Sequence, residues 1–228
     1  MTNAPLLQKL PENTAGIDWV VGDIHGCTSD LFRALDRAGF DYDLDRLLSV
    51  GDLIDRGPES FEALHLLYRG KGQRQWFFPV MGNHEQMMVG ALCNGDAAML
   101  RNWLGNGGSW ALDEDFQELT MIAKDKVASL PLALEVPCGS VRVGVVHANV
   151  TSGQWGDFHP SRDAWCRERF RAGTRPAPIQ GIDLVVAGHT ICSEVTMLDN
   201  VAYIDTGAFT SKGHLTLCSL PDLIRLAT

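Results

Sequence analysis

The sequence predicts an α/β (α+β) fold of two mixed β-sheets packed face to face with helices on the outside. Two patterns predict it: strand, turn and helix repeat three times by residue 90, a βαβαβ opening, and strands dominate after residue 128. A third observation ties the pattern to a site, because five of the apolar strands end in polar residues of one chemical type.

The first strand is read at residues 17–21, and Gly22 breaks it before Asp23-Ile24-His25-Gly26. A helix follows, capped by Thr28, Ser29 or Asp30 and carrying Leu31, Leu35 and Ala38. The second strand, residues 47–50, runs into Gly51-Asp52-Leu53-Ile54-Asp55-Arg56-Gly57; Pro58 then suits the first turn of a helix bearing Phe61, Leu64 and Leu67. The third, residues 76–80, leads to Gly82-Asn83-His84-Glu85 and a helix through Met87, Met88 and Leu92. Residues 96–128 read as mostly helical, with a break at Gly105-Asn106-Gly107-Gly108. Strands resume at 141–146, 184–188, 201–205 and 214–218, the first ending at His147 and the second at Gly188-His189. Helical spacing assigns Met87, Met88, Met99, Trp103 and Trp110 to core packing, whereas Trp155 and Trp165, either side of a polar loop, are read as a substrate rim.

If the strands share sheets with the same ends aligned, their distant polar residues converge on one crevice. Six side chains there form a ligand set for two metal ions: Asp23, His25, Asp52, Asn83, His147 and His189. Three oxygen donors with three imidazoles favour Mn, Fe, Zn or Ni over Ca or Mg. Asp23 and His25 are assigned to one ion, Asn83, His147 and His189 to the other, and Asp52 to both. Two cations roughly 3.5–4 Å apart lower the pKa of a bridging water and clamp the oxygens of an in-line displacement. His84 follows a ligand and can protonate a leaving-group oxygen as general acid, held and charged by Asp55. Arg56 has the planar fork that suits phosphate oxygens, and Arg167 and Arg169 are further candidates. A single histidine on an apolar strand is more often a hydrogen-bonded core residue; the agreement of five strand ends is what carries the metal reading. His65, in a helical pattern, and His159, in a loop, lack that setting and are read as structural.

These motifs resemble those of the PPP-type serine/threonine protein phosphatases, and most closely the bacterial and bacteriophage lambda-type branch of the calcineurin-like metallophosphoesterases. The resemblance runs from about residue 19 to residue 217. It includes Gly22-Asp23-Ile24-His25-Gly26-Cys27, Ser49-Val50-Gly51-Asp52-Leu53-Ile54-Asp55-Arg56-Gly57, Gly82-Asn83-His84-Glu85, Asn106-Gly107-Gly108-Ser109-Trp110, Trp165-Cys166-Arg167-Glu168-Arg169 and Tyr203-Ile204-Asp205-Thr206-Gly207-Ala208. It implies the calcineurin-like fold, the six ligands above, His84 with Asp55 as the acid pair, and Arg56 and Arg167 on the phosphate. It also implies manganese as the preferred ion and direct hydrolysis by metal-activated water without a phosphoenzyme. One position departs from the pattern: where the family has an arginine before Gly-Asn-His-Glu, this chain has Met81, so Met81→Arg is expected to improve phosphopeptide turnover. The segment Ala148-Asn149-Val150-Thr151 also lacks the family's following aspartate.

A chain of 228 residues with no linker, repeat or low-complexity run reads as one domain, residues 1–228, with the motif-bearing core at about 17–218. The N-terminal stretch lacks a signal-peptide pattern and no run of 18 apolar residues occurs, so a soluble, cytoplasmic protein without a membrane partner is expected. The six cysteines are scattered without a Cys-x-x-Cys and are read as buried free thiols, with Cys27 beside the site the one candidate for reactivity. Net charge is −9, from 28 acidic against 19 basic residues, and no Lys/Arg run tracks a phosphate backbone, so nucleic-acid binding is not expected. The expected activity is hydrolysis of phosphoserine and phosphothreonine, with phosphotyrosine and phosphohistidine as further substrates, in phosphoproteins or phosphopeptides. The rival reading is cleavage of dinucleoside polyphosphates or other small phosphate esters; a non-catalytic metal- or phosphate-binding module is a poorer fit.

Overall fold

A computed structural model of the chain describes residues 5–68, 74–171 and 176–227. The strands β2 (Asp18–Val21), β3 (Arg46–Ser49) and β4 (Phe77–Pro79) lie parallel, with α1 (Thr28–Ala38) and α2 (Ser60–His65) in the crossovers, and β10 (Leu217–Ser219) adds antiparallel to β2. This four-stranded sheet has the order β10-β2-β3-β4. The second sheet has six strands in the order β1-β5-β6-β7-β9-β8, where β1 is Leu7–Lys9, β5 Ala133–Cys138, β6 Val141–Val146, β7 Leu184–Ala187, β8 Thr196–Leu198 and β9 Val201–Tyr203. Within it β6, β7 and β9 are mutually parallel, and β5 and β8 are the antiparallel neighbours.

Alternation along the strands explains the layers. Val20, Leu48, Val80, Leu134, Val136, Val143, Val145, Leu184, Val186 and Ala202 fill one apolar cluster, and their strand neighbours Val21, Leu47, Val146 and Val185 face a second one shared with the helices. Strands buried on both faces read as continuous apolar runs, which is why β2, β3, β6 and β7 were visible in the sequence. Three strands were not. β1 and β8 have three residues each, and β5 contains Pro137. Pairing of β1 on β5 stops at Lys9↔Glu135, so Pro137, with no N–H to donate, lies where that edge is uncovered.

The helical layer is α3 (Asn83–Leu92), α4 (Ala97–Gly105) and α5 (Phe116–Asp125), with a 3-10 segment over Gly108–Asp113 at the predicted glycine break. Three short additions follow the sandwich strands: α6 (Pro160–Asp163), α7 (Glu168–Arg171) and α8 (Leu220–Ala227). The start of α1 differs from expectation, because none of Thr28, Ser29 or Asp30 caps it. Glu59, from the segment entering α2, accepts the Ser29 N–H at 2.6 Å and the Ser29 hydroxyl, so the cap comes from a distant turn rather than from the helix's own first residues. α2 likewise opens at Ser60, beyond Pro58. No helix among the described residues is long and apolar enough to cross a membrane.

Candidate active site

Because β2, β3 and β4 are parallel, and β6 and β7 are parallel, the turns at their C-terminal ends meet on one side of the sandwich. All six predicted ligand side chains lie there and are buried. Five of the six non-glycine residues with positive φ in the described chain are also there: His25 (43°), Asp52 (49°), Asp55 (75°), Arg56 (71°) and His189 (65°). Each such conformation costs on the order of 1–3 kcal/mol, so surrounding structure must hold these side chains on target. Gly188 shows how tightly the turns interlock, since a Cβ there would sit 2.1 Å from Asp23 Oδ1.

The histidines are oriented by backbone carbonyls. Nδ1 of His25 lies 2.9 Å from the Ile54 carbonyl, Nδ1 of His147 lies 2.8 Å from that of Val50, and Nε2 of His189 lies 3.2 Å from that of Trp165. With those nitrogens assigned as donors, the opposite nitrogen of each ring turns a lone pair inward. His147 Nε2 then faces Asn83 Oδ1 at 2.9 Å, His189 Nδ1 at 3.2 Å and Asp52 Oδ1 at 3.3 Å. His25 Nε2 lies 3.6 Å from Asp52 Oδ2 and 4.0 Å from Asp23 Oδ2. Electron pairs aimed at one another call for a cation between them; two donor groups, His25 with Asp52 and His84, and Asp52 with His147 and His189, share Asp52, with Asp23 beside His25 and Asn83 beside His147, so the residues fit two metal ions.

The charges of the cluster fit the same reading. Burial pushes His25 down to about 3 despite Asp52, and burial with neighbouring His147 does the same to His189, which leaves both rings neutral. His147 goes the other way: burial opposes its charge, but Asp52, the Val50 carbonyl and Glu85 together raise the imidazole. Asp52 itself is held well below the usual carboxylate range, against the cost of burial, by His147 and His84. Asp23 is pushed well up by burial and by Asp205 and Asp52, a repulsion that positive charge would relieve. At the first group, Arg56 donates to His25 Nε2 at 2.9 Å, and its guanidinium rests 4.8 Å from the centre of the Phe209 ring.

Beside the ligands, His84 Nδ1 and Asp55 Oδ2 are 2.5 Å apart. The other nitrogen, His84 Nε2, lies 3.8 Å from Asp52 Oδ2 and is the one buried side-chain polar atom among the described residues with no hydrogen bond. Burial opposes protonation of this ring, but Asp52 and Asp55 raise it above the ordinary imidazole range. Arg167 donates to the His189 carbonyl at 3.0 Å and borders a pocket of about 410 Å³ with Trp165, Glu168 and Arg171. Burial, then Arg171 and Arg56, lowers the Arg167 guanidinium.

Several sequence expectations change here. Arg169 turns away and donates to the Ala177 carbonyl at 2.7 Å. Trp155 is not a rim residue: it packs over Gly144, and its indole donates to Glu135 at 2.7 Å. Trp165 does border the mouth, with its indole donating to Gln86 at 2.8 Å. Cys27 is buried, and burial with Asp30 and Glu59 pushes its thiol up, away from a reactive thiolate; Cys93, Cys138, Cys166 and Cys218 are only partly buried. Trp103 and Trp110, assigned to packing, donate their indole N–H groups to Asp55. Glu85 was missed as well. Its carboxylate accepts the N–H groups of Gly82 and Asp52 at 2.9 Å and of Leu53 at 2.8 Å, tying two ligand turns together, and burial beside Asp52 pushes it up to about 7. The capping-box spacing of Gly82 to Glu85 is the signal that could have found it.

Met81 is buried at the edge of the apolar core, lining a small cavity with Leu132, Val146 and Phe158 and with the polar His147, Asn149 and Asp163. An arginine there would bury a charge beside mostly apolar packing, so Met81→Arg is expected to lower stability by about 2 kcal/mol or more, a cost set against the gain in turnover expected from the sequence. Urea unfolding of the two proteins checks this; equal midpoints with improved phosphopeptide turnover would restore the sequence expectation.

The sequence matches the calcineurin-like phosphoesterase family over residues 19–193, and the chain belongs to that family. Its curated relatives include serine/threonine-protein phosphatase 2 of Salmonella typhimurium, 37% identical over 87% of this chain and 90% of that protein, and serine/threonine-protein phosphatase 1 of the same organism, 38% identical over 89% and 91%. A symmetrical bis(5'-nucleosyl)-tetraphosphatase of Pseudomonas fluorescens is 43% identical, but over only 33% of this chain and 25% of its own length. Among solved structures, one provisionally assigned as a diadenosine tetraphosphatase matches with a TM-score of 0.70 at 22% identity, covering 96% of this chain and 95% of that one, which establishes the shared fold.

Proposed function

We propose that this phosphoesterase is a metal-dependent protein phosphatase acting on phosphoserine and phosphothreonine, with phosphotyrosine and phosphohistidine as further substrates. The observation that carries the reading is His84 Nε2, a buried ring nitrogen with no partner, backed by Asp55 and flanked by Arg56 and the ligand cluster. Asp23, His25, Asp52, Asn83, His147 and His189 would hold two divalent cations, which when bound would supply water activation and positive charge for the phosphate oxygens. Manganese suits the mixed oxygen and imidazole donors, with iron, zinc and nickel as alternatives. Arg56 and Arg167 grip the phosphate oxygens through their planar forks. His84, as imidazolium, delivers its Nε2 proton to the departing serine or threonine oxygen, and Asp55 keeps Nδ1–H pointed away from substrate. The unpaired cysteines agree with a reducing cytoplasm.

Similarity over nearly the whole length of both Salmonella phosphatases favours a phosphoprotein substrate, since the sequence match to the curated tetraphosphatase is confined to a third of the chain and the likeness over 96% of it, at 22% identity, is one of fold. A second reading, cleavage of a dinucleoside polyphosphate, draws on one feature of the mouth: Trp165 offers a face for a base, and Arg171 offers a third cation for a second phosphate. Turnover of a phosphoserine peptide and of diadenosine tetraphosphate by the manganese-loaded chain separates the two. A kcat/KM at least about tenfold higher on the peptide is expected; the reverse preference moves the function to small-molecule hydrolysis.

A further inference from the structure

Asp55 is fully buried, and the hydrogen bonds to its carboxylate come from three ring N–H groups. His84 Nδ1 takes Oδ2 at 2.5 Å, Trp110 Nε1 donates to Oδ1 at 2.7 Å, and Trp103 Nε1 bridges both oxygens at 3.0 Å. A carboxylate has about four acceptor positions, so turning this one away from His84 breaks at least one indole bond. The two indoles meet edge to face, 6.1 Å between centres and 87° between planes, so each ring limits the swing of the other. They come from the end of α4 and from the 3-10 segment after it. Between them Gly107, at φ 109°, lies against the Arg56 backbone: its carbonyl accepts the Arg56 N–H at 3.4 Å, and a Cβ on it would come within 2.8 Å of that nitrogen.

We propose that Trp103 and Trp110 are positioning residues that hold Asp55 behind His84, and that the glycine loop joining them seats Arg56 on the same turn. The inference rests on the reading of His84 and Asp55 as the acid pair. Both indoles act through Asp55, and being neutral they orient the carboxylate without bringing a cation that would compete with His84 for it. Packing alone would make the tryptophans matter for stability and affect every substrate alike. Positioning makes them matter most where the leaving oxygen needs a proton.

The test uses the manganese-loaded full chain with Trp110→Phe, Trp103→Phe and Asp55→Asn, each assayed on a phosphoserine peptide and on p-nitrophenyl phosphate, whose leaving group departs without a proton. Losing a hydrogen bond to a charged carboxylate is expected to lower Trp110→Phe kcat on the peptide about tenfold or more, with p-nitrophenyl phosphate turnover and both KM values within about threefold. Trp103→Phe follows the same pattern, and it carries the test if Trp110→Phe fails to fold. Added to Asp55→Asn, Trp110→Phe costs nothing further. Equal losses on both substrates, an unchanged peptide kcat, or a full additional loss on top of Asp55→Asn would each overturn the inference. If Asp55→Asn by itself slows both substrates equally, the acid-pair reading falls and takes the inference with it; a normal Asp55→Asn split with a silent Trp110→Phe overturns the inference alone.

Discussion

Asp52→Asn is expected to leave fewer than two metal ions per chain and to lower kcat/KM on a phosphoserine peptide by at least about a thousandfold, since the lost electrostatic clamp accounts for several kcal/mol of barrier. No other carboxylate in the cluster faces both donor groups, with Oδ1 3.3 Å from His147 Nε2 and Oδ2 3.6 Å from His25 Nε2. The amide keeps the size and one oxygen but brings an N–H₂ into a space ringed by lone pairs, and it removes the negative charge that His147 and His84 keep ionised against its burial. Metal analysis of the gel-filtered variant checks the first half and steady-state kinetics the second. Two ions per chain in Asp52→Asn would show that the shared carboxylate is not what joins the two groups.

His84→Asn is expected to lower kcat on the same peptide by about 10²–10⁴-fold, the usual contribution of a general acid, while metal content stays at the wild-type value. The side chain meets the ligand cluster at 3.8 Å from Asp52 Oδ2 and edge to face with the His25 ring, centres 4.8 Å apart, and its strong partner is Asp55 on the far side of the ring. On p-nitrophenyl phosphate the loss is expected to be smaller, because that leaving group is stable as an anion. An equal loss on both substrates, or loss of metal from the variant, would move His84 from proton delivery to metal binding.

Much of this was legible in the sequence because the site is made of contrasts. Asp23, Asp52, His147 and His189 are polar residues of ligand type ending runs such as Leu47-Leu48-Ser49-Val50 and Leu184-Val185-Val186, and only a shared sheet edge makes sense of that placement. The matching ends follow from the parallel pairing of β2 with β3 and of β6 with β7. Three-residue strands such as β1 and β8 carry too few residues to show a period. The supports of the site were hidden for another reason. Trp103 is large, buried and at helical spacing, so its pattern is that of any core residue; its single polar atom is what bonds Asp55, and sequence spacing is blind to that atom. Glu85 was hidden by its role as a helix cap, since the same carboxylate both caps α3 and fastens the Asp52 turn. Met81 stood out in the sequence by its motif position alone; that its side chain is buried against the core is visible only in the fold.

The central claim is that six residues from the ends of five strands in two sheets together hold two ions that serve one reaction. Its most direct test is a titration of chelator-stripped wild-type protein with Mn²⁺, reading bound metal and phosphoserine-peptide turnover in the same samples. The account predicts two equivalents bound per chain, with turnover rising to its plateau only as the second is taken up. Saturation at one equivalent, or full turnover in the stripped protein, would contradict it.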